Sequence, residues 1–256
     1  MKKTISILLA FLMGIVFVNA QGITTHQYRR VAPQDMQEYL KRETTYWQKF
    51  AEQEVTKGNL TFWGIFQKVG GINLEHAPNI LIINTFNNID EQLNWGGVAD
   101  LFPDVKMENI NTFNMSTTTS TIYLRGLNNH ISAPGVVPKD DFNYVKIVYH
   151  NPKSTSKLLE FEANKWKPMV QKAMNEGKTI LKGWGNARIL HPSSSKFPYS
   201  SQSYDLFSSM NDALSPYFSE DANIADDFFA DLDGNDETPR SIVLYRVVAV
   251  VSAPEE

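Results

Sequence analysis

PQDMQEYLKRETTYWQKFAEQEVTKG runs from Pro33 to Gly58, and PKSTSKLLEFEANKWKPMVQKAMNEG runs from Pro152 to Gly177. Slid by 119 positions, the two stretches match Pro33 with Pro152, Leu40 with Leu159, Glu43 with Glu162, Trp47 with Trp166 and Gly58 with Gly177. Both carry apolar residues three and four apart, the period of a helix with one buried stripe. A proline at the opening and a glycine just past the end are start and stop signals for such a helix. At an offset of 121, Trp63-Gly64 meets Trp184-Gly185, Phe86 meets Phe207 and Arg125 meets Arg246. The chain therefore reads as an internal repeat.

Each expected long helix sits between strand-like runs. Thr25–Val31 precedes the first, and Leu60–Val69 follows it with aromatic and β-branched residues. Asn79–Phe86 (NILIINTF) is a near-continuous apolar strand. Asn88 and Asp90 can cap a second helix through Leu101. After the polar stretch Asn109–Ser120, Thr121–Gly126 reads as a fourth strand. The second half repeats the order. Asn143–His150 is a strand, Pro152–Glu176 a helix, Thr179–Leu190 a strand and Ser203–Phe207 a short strand. Helical segments are expected within Ser208–Leu232, and Ser241–Ser252 (SIVLYRVVAVVS) is the last strand.

Two β-α-β-β-α-β units give the expected fold class. It is α+β, with two tandem ferredoxin-like halves packed sheet to sheet as a pseudo-twofold α/β barrel. The boundaries are 1–20 for a signal peptide, 21–127 for the first half, 128–142 for a turn-rich linker and 143–256 for the second half.

The Glu-x-x-x-Trp helix opened by proline and closed by glycine, followed by an aromatic Trp-Gly strand, resembles the dimeric α/β-barrel superfamily. Within it, the pattern resembles the NIPSNAP-like and antibiotic-biosynthesis-monooxygenase-like groups. The resemblance covers Thr25–Gly126 and Asn143–Ser252 as tandem copies. It implies the barrel. Members of the superfamily include cofactor-free oxygenases, haem-degrading enzymes, chlorite-dismutase-like haem proteins and many without known activity, so it implies fold more than reaction. In the haem-degrading and haem-peroxidase relatives a helix histidine binds the iron. None of His26, His76, His130, His150 and His191 falls on an expected helix. No cofactor is expected, and haem is only weakly supported.

Met1-Lys2-Lys3, the apolar run Ile5–Val18 and Ala20 form the three regions of an export signal cleaved after Ala20. The expected location is periplasmic or secreted. No later run reaches the roughly 18 apolar residues of a membrane span. Of the 256 residues, 42% are hydrophobic and 20% charged, an ordinary globular composition. Past residue 20 there are 22 basic and 28 acidic side chains, and that acidic balance disfavours nucleic acid as a partner. The absence of cysteine excludes disulfides, thiolate nucleophiles, iron–sulfur clusters and cysteine zinc sites.

Glu43 falls roughly 60° from Leu40 around the helix, inside the apolar stripe, and Glu162 repeats the placement from Leu159. A buried carboxylate must be paired or have a raised pKa. Glu43 and Glu162 are thus candidate catalytic groups, or else structural partners of Arg125 and Arg246 on the closing strands. Trp63 and Trp184 either line the barrel or pack under the helices. Together with His150, Arg125 and Arg246 they are the candidate ligand-binding set. His26 and His150 could reach a barrel mouth, although the surface is the commoner place for histidine. No metal ligands are expected, because no histidine spacing suits zinc and Asp231-x-Asp233-Gly234 misplaces the EF-hand glycine. No phosphate loop, dinucleotide fingerprint or nucleophile elbow is present.

The expected function is an exported barrel that binds a small apolar or aromatic molecule between its halves, with Trp63 and Trp184 essential to binding. One alternative is an oxygenase-type enzyme, cofactor-free or haem-dependent, using Glu43 or Glu162 with His26 or His150. Another is a non-catalytic envelope interaction module. Ligand identity, and whether the chain is a monomer or homo-oligomer, stay open.

Overall fold

A computed structural model describes residues 22–71, 77–91, 93–225, 228 and 236–253. Eight antiparallel strands form the wall. They are β1 (Ile23–Val31), β2 (Leu60–Lys68), β3 (Ile80–Phe86), β4 (Ser116–Gly126), β6 (Tyr144–Pro152), β7 (Gly183–His191), β8 (Ser201–Phe207) and β9 (Asp236–Ser252). The order is β4-β1-β3-β2-β9-β6-β8-β7, and β4 pairs with β7 to close an α+β barrel. The two-residue β5 (Ile131–Ser132) adds to the rim of β7.

Two long helices lie outside this wall. The first runs through Met36–Arg42, Glu43–Trp47 and Gln48–Thr56, and the second through Thr155–Phe161, Glu162–Trp166 and Lys167–Asn175. In both, the middle five residues form a π turn that starts at the glutamate and ends at the tryptophan. π segments are rare and usually single-turn bulges. Both helices end at a glycine with positive φ, Gly58 at +80° and Gly177 at +69°, as a left-handed terminator requires.

Side chains alternate across each strand, so the sequence divides into layers. Leu81, Phe66, Ile122, Ile147 and Tyr245 fill the inside of the barrel. Ile80, Ile82, Trp63 and Ile65 face the first long helix, where Trp47, Phe50 and Tyr39 meet them. Trp184 and Phe207 likewise meet Phe161, Trp166 and Val170 of the second. A strand buried on both faces is apolar throughout, which is why NILIINTF shows no alternation.

Several boundaries differ from the sequence expectation. Pro152 ends β6, and Ser154 caps the second helix by accepting from the Lys157 N–H, so Pro152 is no counterpart of Pro33. β4 begins at Ser116, because the Ser/Thr run reads as polar yet has β-branched residues and pairs with β1. β7 begins at Gly183, and Thr179 makes only an isolated bridge to Phe218. β8 starts two residues early and is largely buried. Helix after β3 is limited to a 3-10 turn Trp95–Gly97 and Val98–Leu101. Beyond Ser208 the described helical pieces are Met210–Ala213 and Glu220–Ala222. The expected signal, His76 and the Asp231–Gly234 turn lie outside the described residues. Among the described residues no helix is long and apolar enough to cross a membrane.

Candidate functional site

The inside of the barrel is not completely filled. A cavity of about 360 Å³ opens at the end where β1 begins and β3 and β4 finish. That volume lies at the lower end of the range for small-molecule sites. Its wall is mostly apolar, with Phe62, Phe66, Leu124, Val145 and Leu206 among the lining residues. Many lining residues are 121 positions apart: Thr24 and Val145, His26 and Ile147, Ile83 and Tyr204, Thr85 and Leu206, Gly126 and Val247. In most of these pairs one member is polar and the other apolar.

The two Trp-Gly dipeptides are explained by this cavity. Because neighbours on a strand point opposite ways, each tryptophan faces a helix and each glycine faces inward. A Cβ on Gly64 would overlap the Phe66 ring, and one on Gly185 would overlap the Tyr204 hydroxyl. The glycines therefore make room for two aromatic rings of the cavity wall.

Polar groups stand at defined points. His26 is buried on β1, and its Nδ1 is 3.5 Å from the Tyr28 hydroxyl. Burial lowers its pKa to about 3, so the imidazole is neutral. Tyr204 sits opposite the glycine gap of β7, and burial raises its pKa to about 12. Its hydroxyl is 3.1 Å from His130 Nδ1, and His130 Nε2 is 3.0 Å from Ser132 Oγ. Gln202 also lines the space, with its side-chain oxygen buried and without a hydrogen-bond partner. No Lys, Arg, Asp or Glu is among the described lining residues.

Most residues singled out from the sequence lie elsewhere. Trp63 and Trp184 pack under the helices, the second of their two expected placements, and are not among the cavity's described lining residues. His26 and His150 are both about 3% exposed, so neither is a surface histidine. Arg125 and Arg246 are exposed, and Arg246 donates to Gln67 at 2.8 Å. They do not partner the glutamates, because they point outward from strand positions away from the helices.

Glu43 and Glu162 are buried between helix and sheet, as the helical phase indicated. Glu43 accepts from the Thr112 hydroxyl at 2.8 Å and lies 3.9 Å from Arg29. Burial raises its pKa against the opposing pull of Arg29. Glu162 accepts from Asn186 Nδ2 at 2.7 Å and lies 3.8 Å from His150 Nε2. Ser203 Oγ is 3.0 Å from that same nitrogen. Ser203, His150 and Glu162 have the composition of a nucleophilic triad without its geometry, because both neighbours address one ring nitrogen. All three are buried and none lines the cavity. Asn186, which donates to Glu162, is itself a lining residue, so the cluster abuts the cavity.

The described lining of this cavity offers no cationic partner for haem. Its two propionates need cationic or multiple strong donors, and the described lining residues carry no cation. His130 is engaged at both ring nitrogens. Among the described residues no group of three or more His, Asp or Glu could hold a metal ion.

The sequence signal for the cavity was the register of the Trp-Gly pairs. Tyr204, His130 and Gln202 carried no such signal, because residues 130 and 202 to 204 meet only through β5–β7–β8 pairing.

No protein-family model matches the chain, and no curated protein is significantly similar to it in sequence. Solved structures do share the fold. A Lactobacillus acidophilus NCFM protein provisionally called a monooxygenase superposes with TM-score 0.55 at 12% identity, over 91% of this chain and 96% of that one. An anthrone oxidase-like protein gives TM-score 0.52 at 11% identity, over 92% and 94%. A heme-binding protein from Thermus thermophilus gives 0.47 at 12%, over 89% and 91%. The first two likenesses agree with the dimeric α/β-barrel resemblance, and at such identities they concern fold alone.

Proposed function

We propose that this chain binds a small, uncharged aromatic molecule inside its barrel. The observation that carries the reading is the cavity of about 360 Å³, apolar along its wall, with no Lys, Arg, Asp or Glu among its described lining residues and a few fixed polar groups. An uncharged fluorescent arene, N-phenyl-1-naphthylamine, should bind with a large gain in emission. Gly126 lines the mouth, and a Cβ there meets nothing within 4 Å. Gly126→Phe should therefore fill the cavity without disturbing the fold and abolish the gain. No emission gain with the unmodified protein, or equal affinity in G126F, would sink the proposal.

The second reading is an oxygenase-type enzyme without a cofactor. It is favoured by His26, a neutral buried imidazole on the cavity wall that could take a proton from a bound substrate. The names carried by the monooxygenase and the anthrone oxidase-like structures are in keeping with it. Anthrone and dioxygen would give anthraquinone and water, read with an oxygen electrode. Uptake that is equal in H26Q and the unmodified protein would end this reading.

The remaining parts of the proposal concern architecture and location. The strand order of residues 23–126 recurs in residues 144–252, and both long helices carry a π turn at the matched glutamate. These parallels support an internal duplication into ferredoxin-like halves, 21–127 and 143–256 around a linker, of the NIPSNAP-like or antibiotic-biosynthesis-monooxygenase-like kind. Residues 1–20 are proposed to direct export to the periplasm or beyond. The mass of the exported chain should begin at Gln21.

A further inference from the structure

A hydrogen-bonded chain of side chains leads from the cavity toward its mouth. Tyr204 lies inside, half-buried on β8, while His130 is exposed in the segment between β4 and β5. The Tyr204 hydroxyl meets His130 Nδ1 at 3.1 Å, and His130 Nε2 meets Ser132 Oγ at 3.0 Å. The two rings are stacked with centroids 6.0 Å apart. A neutral imidazole has one donor and one acceptor nitrogen. If Tyr204 donates to Nδ1, then Nε2 must carry the hydrogen and donate to Ser132, so the hydrogens all run one way.

This polarity is built for one side only. The residue 121 positions before Tyr204 is Ile83, which also lines the cavity and has no hydroxyl. A Cβ on Gly185 would overlap the Tyr204 hydroxyl, so glycine leaves that hydroxyl its place. A phenol held this way is more than filler.

We propose that Tyr204, His130 and Ser132 form a proton relay that carries a proton between a hydroxyl-bearing ligand in the cavity and solvent. The proposal rests on the reading that the cavity holds a ligand. The ligand O–H breaks as its proton joins the Tyr204 oxygen, and the original Tyr204 proton moves to His130 Nδ1. The resulting imidazolium gives its Nε2 proton to Ser132 Oγ, whose own hydroxyl proton passes to water. One proton leaves the ligand and one enters solvent, with no change of oxidation state. The return follows the same path in reverse, so the relay is restored without any group leaving its place.

The photoacid 1-naphthol tests it. It is uncharged in its ground state and loses its hydroxyl proton on excitation only where an acceptor is ready. The protein is held in excess so that no free probe contributes, and excitation is set beyond the tryptophan band. Bound to the unmodified protein, the probe should emit from the naphtholate. In Tyr204→Phe and His130→Gln, with enough protein to keep the probe fully bound, the naphtholate band should be lost. Glutamine can keep a hydrogen bond to Tyr204 but cannot take its proton, so the His130→Gln arm separates relay from structure. Emission from neutral naphthol alone in the unmodified protein overturns the relay, as does a naphtholate band that survives both substitutions. Failure of 1-naphthol to bind at all overturns the cavity reading instead.

Discussion

Replacing Asp205 with asparagine should make the protein more stable at neutral pH. Asp205 lies on β8, about 3% exposed, under the second long helix. Its cross-strand partner on β6 is Lys146, and it accepts from the Tyr217 hydroxyl at 2.7 Å. The Lys146 ammonium lies over the Tyr217 ring, 4.8 Å from its centroid. Burial outweighs these contacts and raises the Asp205 pKa from 3.8 to about 6. At about 1.36 kcal/mol per pKa unit, the shift corresponds to about 3 kcal/mol. The folded chain holds this proton more tightly than the unfolded chain does. The contribution is therefore fully present below about pH 4 and is lost as the pH rises toward about 6. Asparagine keeps the acceptor for Tyr217 without the buried charge. Urea unfolding of both proteins, from about pH 4 to about pH 7, should show the difference moving in favour of D205N by up to about 3 kcal/mol. Near neutrality this is roughly 6–12 °C in Tm for a chain of this size. Comparing the two proteins cancels titrations not coupled to Asp205, including that of His26, whose lowered pKa costs stability as the pH falls below 6.5. A difference that does not vary with pH, or a D205N that is less stable at neutrality, would refute the reasoning.

Three further outcomes are expected. Arg29→Met leaves Glu43 buried without its guanidinium and should cost about 3–5 kcal/mol in denaturant unfolding, a deficit that shrinks as acid protonates Glu43. Trp63→Ala and Trp184→Ala should each cost about 3–5 kcal/mol by thermal unfolding, yet leave the affinity of the folded protein for N-phenyl-1-naphthylamine unchanged. Gly185→Ala should displace Tyr204 at a cost of about 1–3 kcal/mol and move the His130 ring signals in the proton NMR spectrum.

The helices were the legible part of the sequence. Their stripe, their terminal glycines and the inward glutamates follow from local periodicity, and the structure places them accordingly. What failed was nonlocal. Ser116–Ser120 looked like loop because its polarity outweighed the β-branched threonines, and only pairing with β1 makes it strand. Glu43 and Glu162 are met not by the matching arginines of β4 and β9 but by Thr112 and Asn186, with Arg29 of β1 and His150 of β6, 121 positions apart and of different chemistry, close by. Trp63 and Trp184 match because both pack under a long helix. The cavity is lined largely at positions 121 apart where the residues differ, and identity carries no signal there.

Those differences bear on how a guest would sit. A pocket between two identical subunits offers every contact twice, so a lopsided molecule can enter in either of two equivalent poses. Here His26 faces inward with Ile147 at its matching position, and Tyr204 has Ile83 at its own. One covalent chain has thereby removed the degeneracy. A bound molecule would meet the Tyr204 hydroxyl and the His26 imidazole with an isoleucine at each matching position, and its two ends become distinguishable.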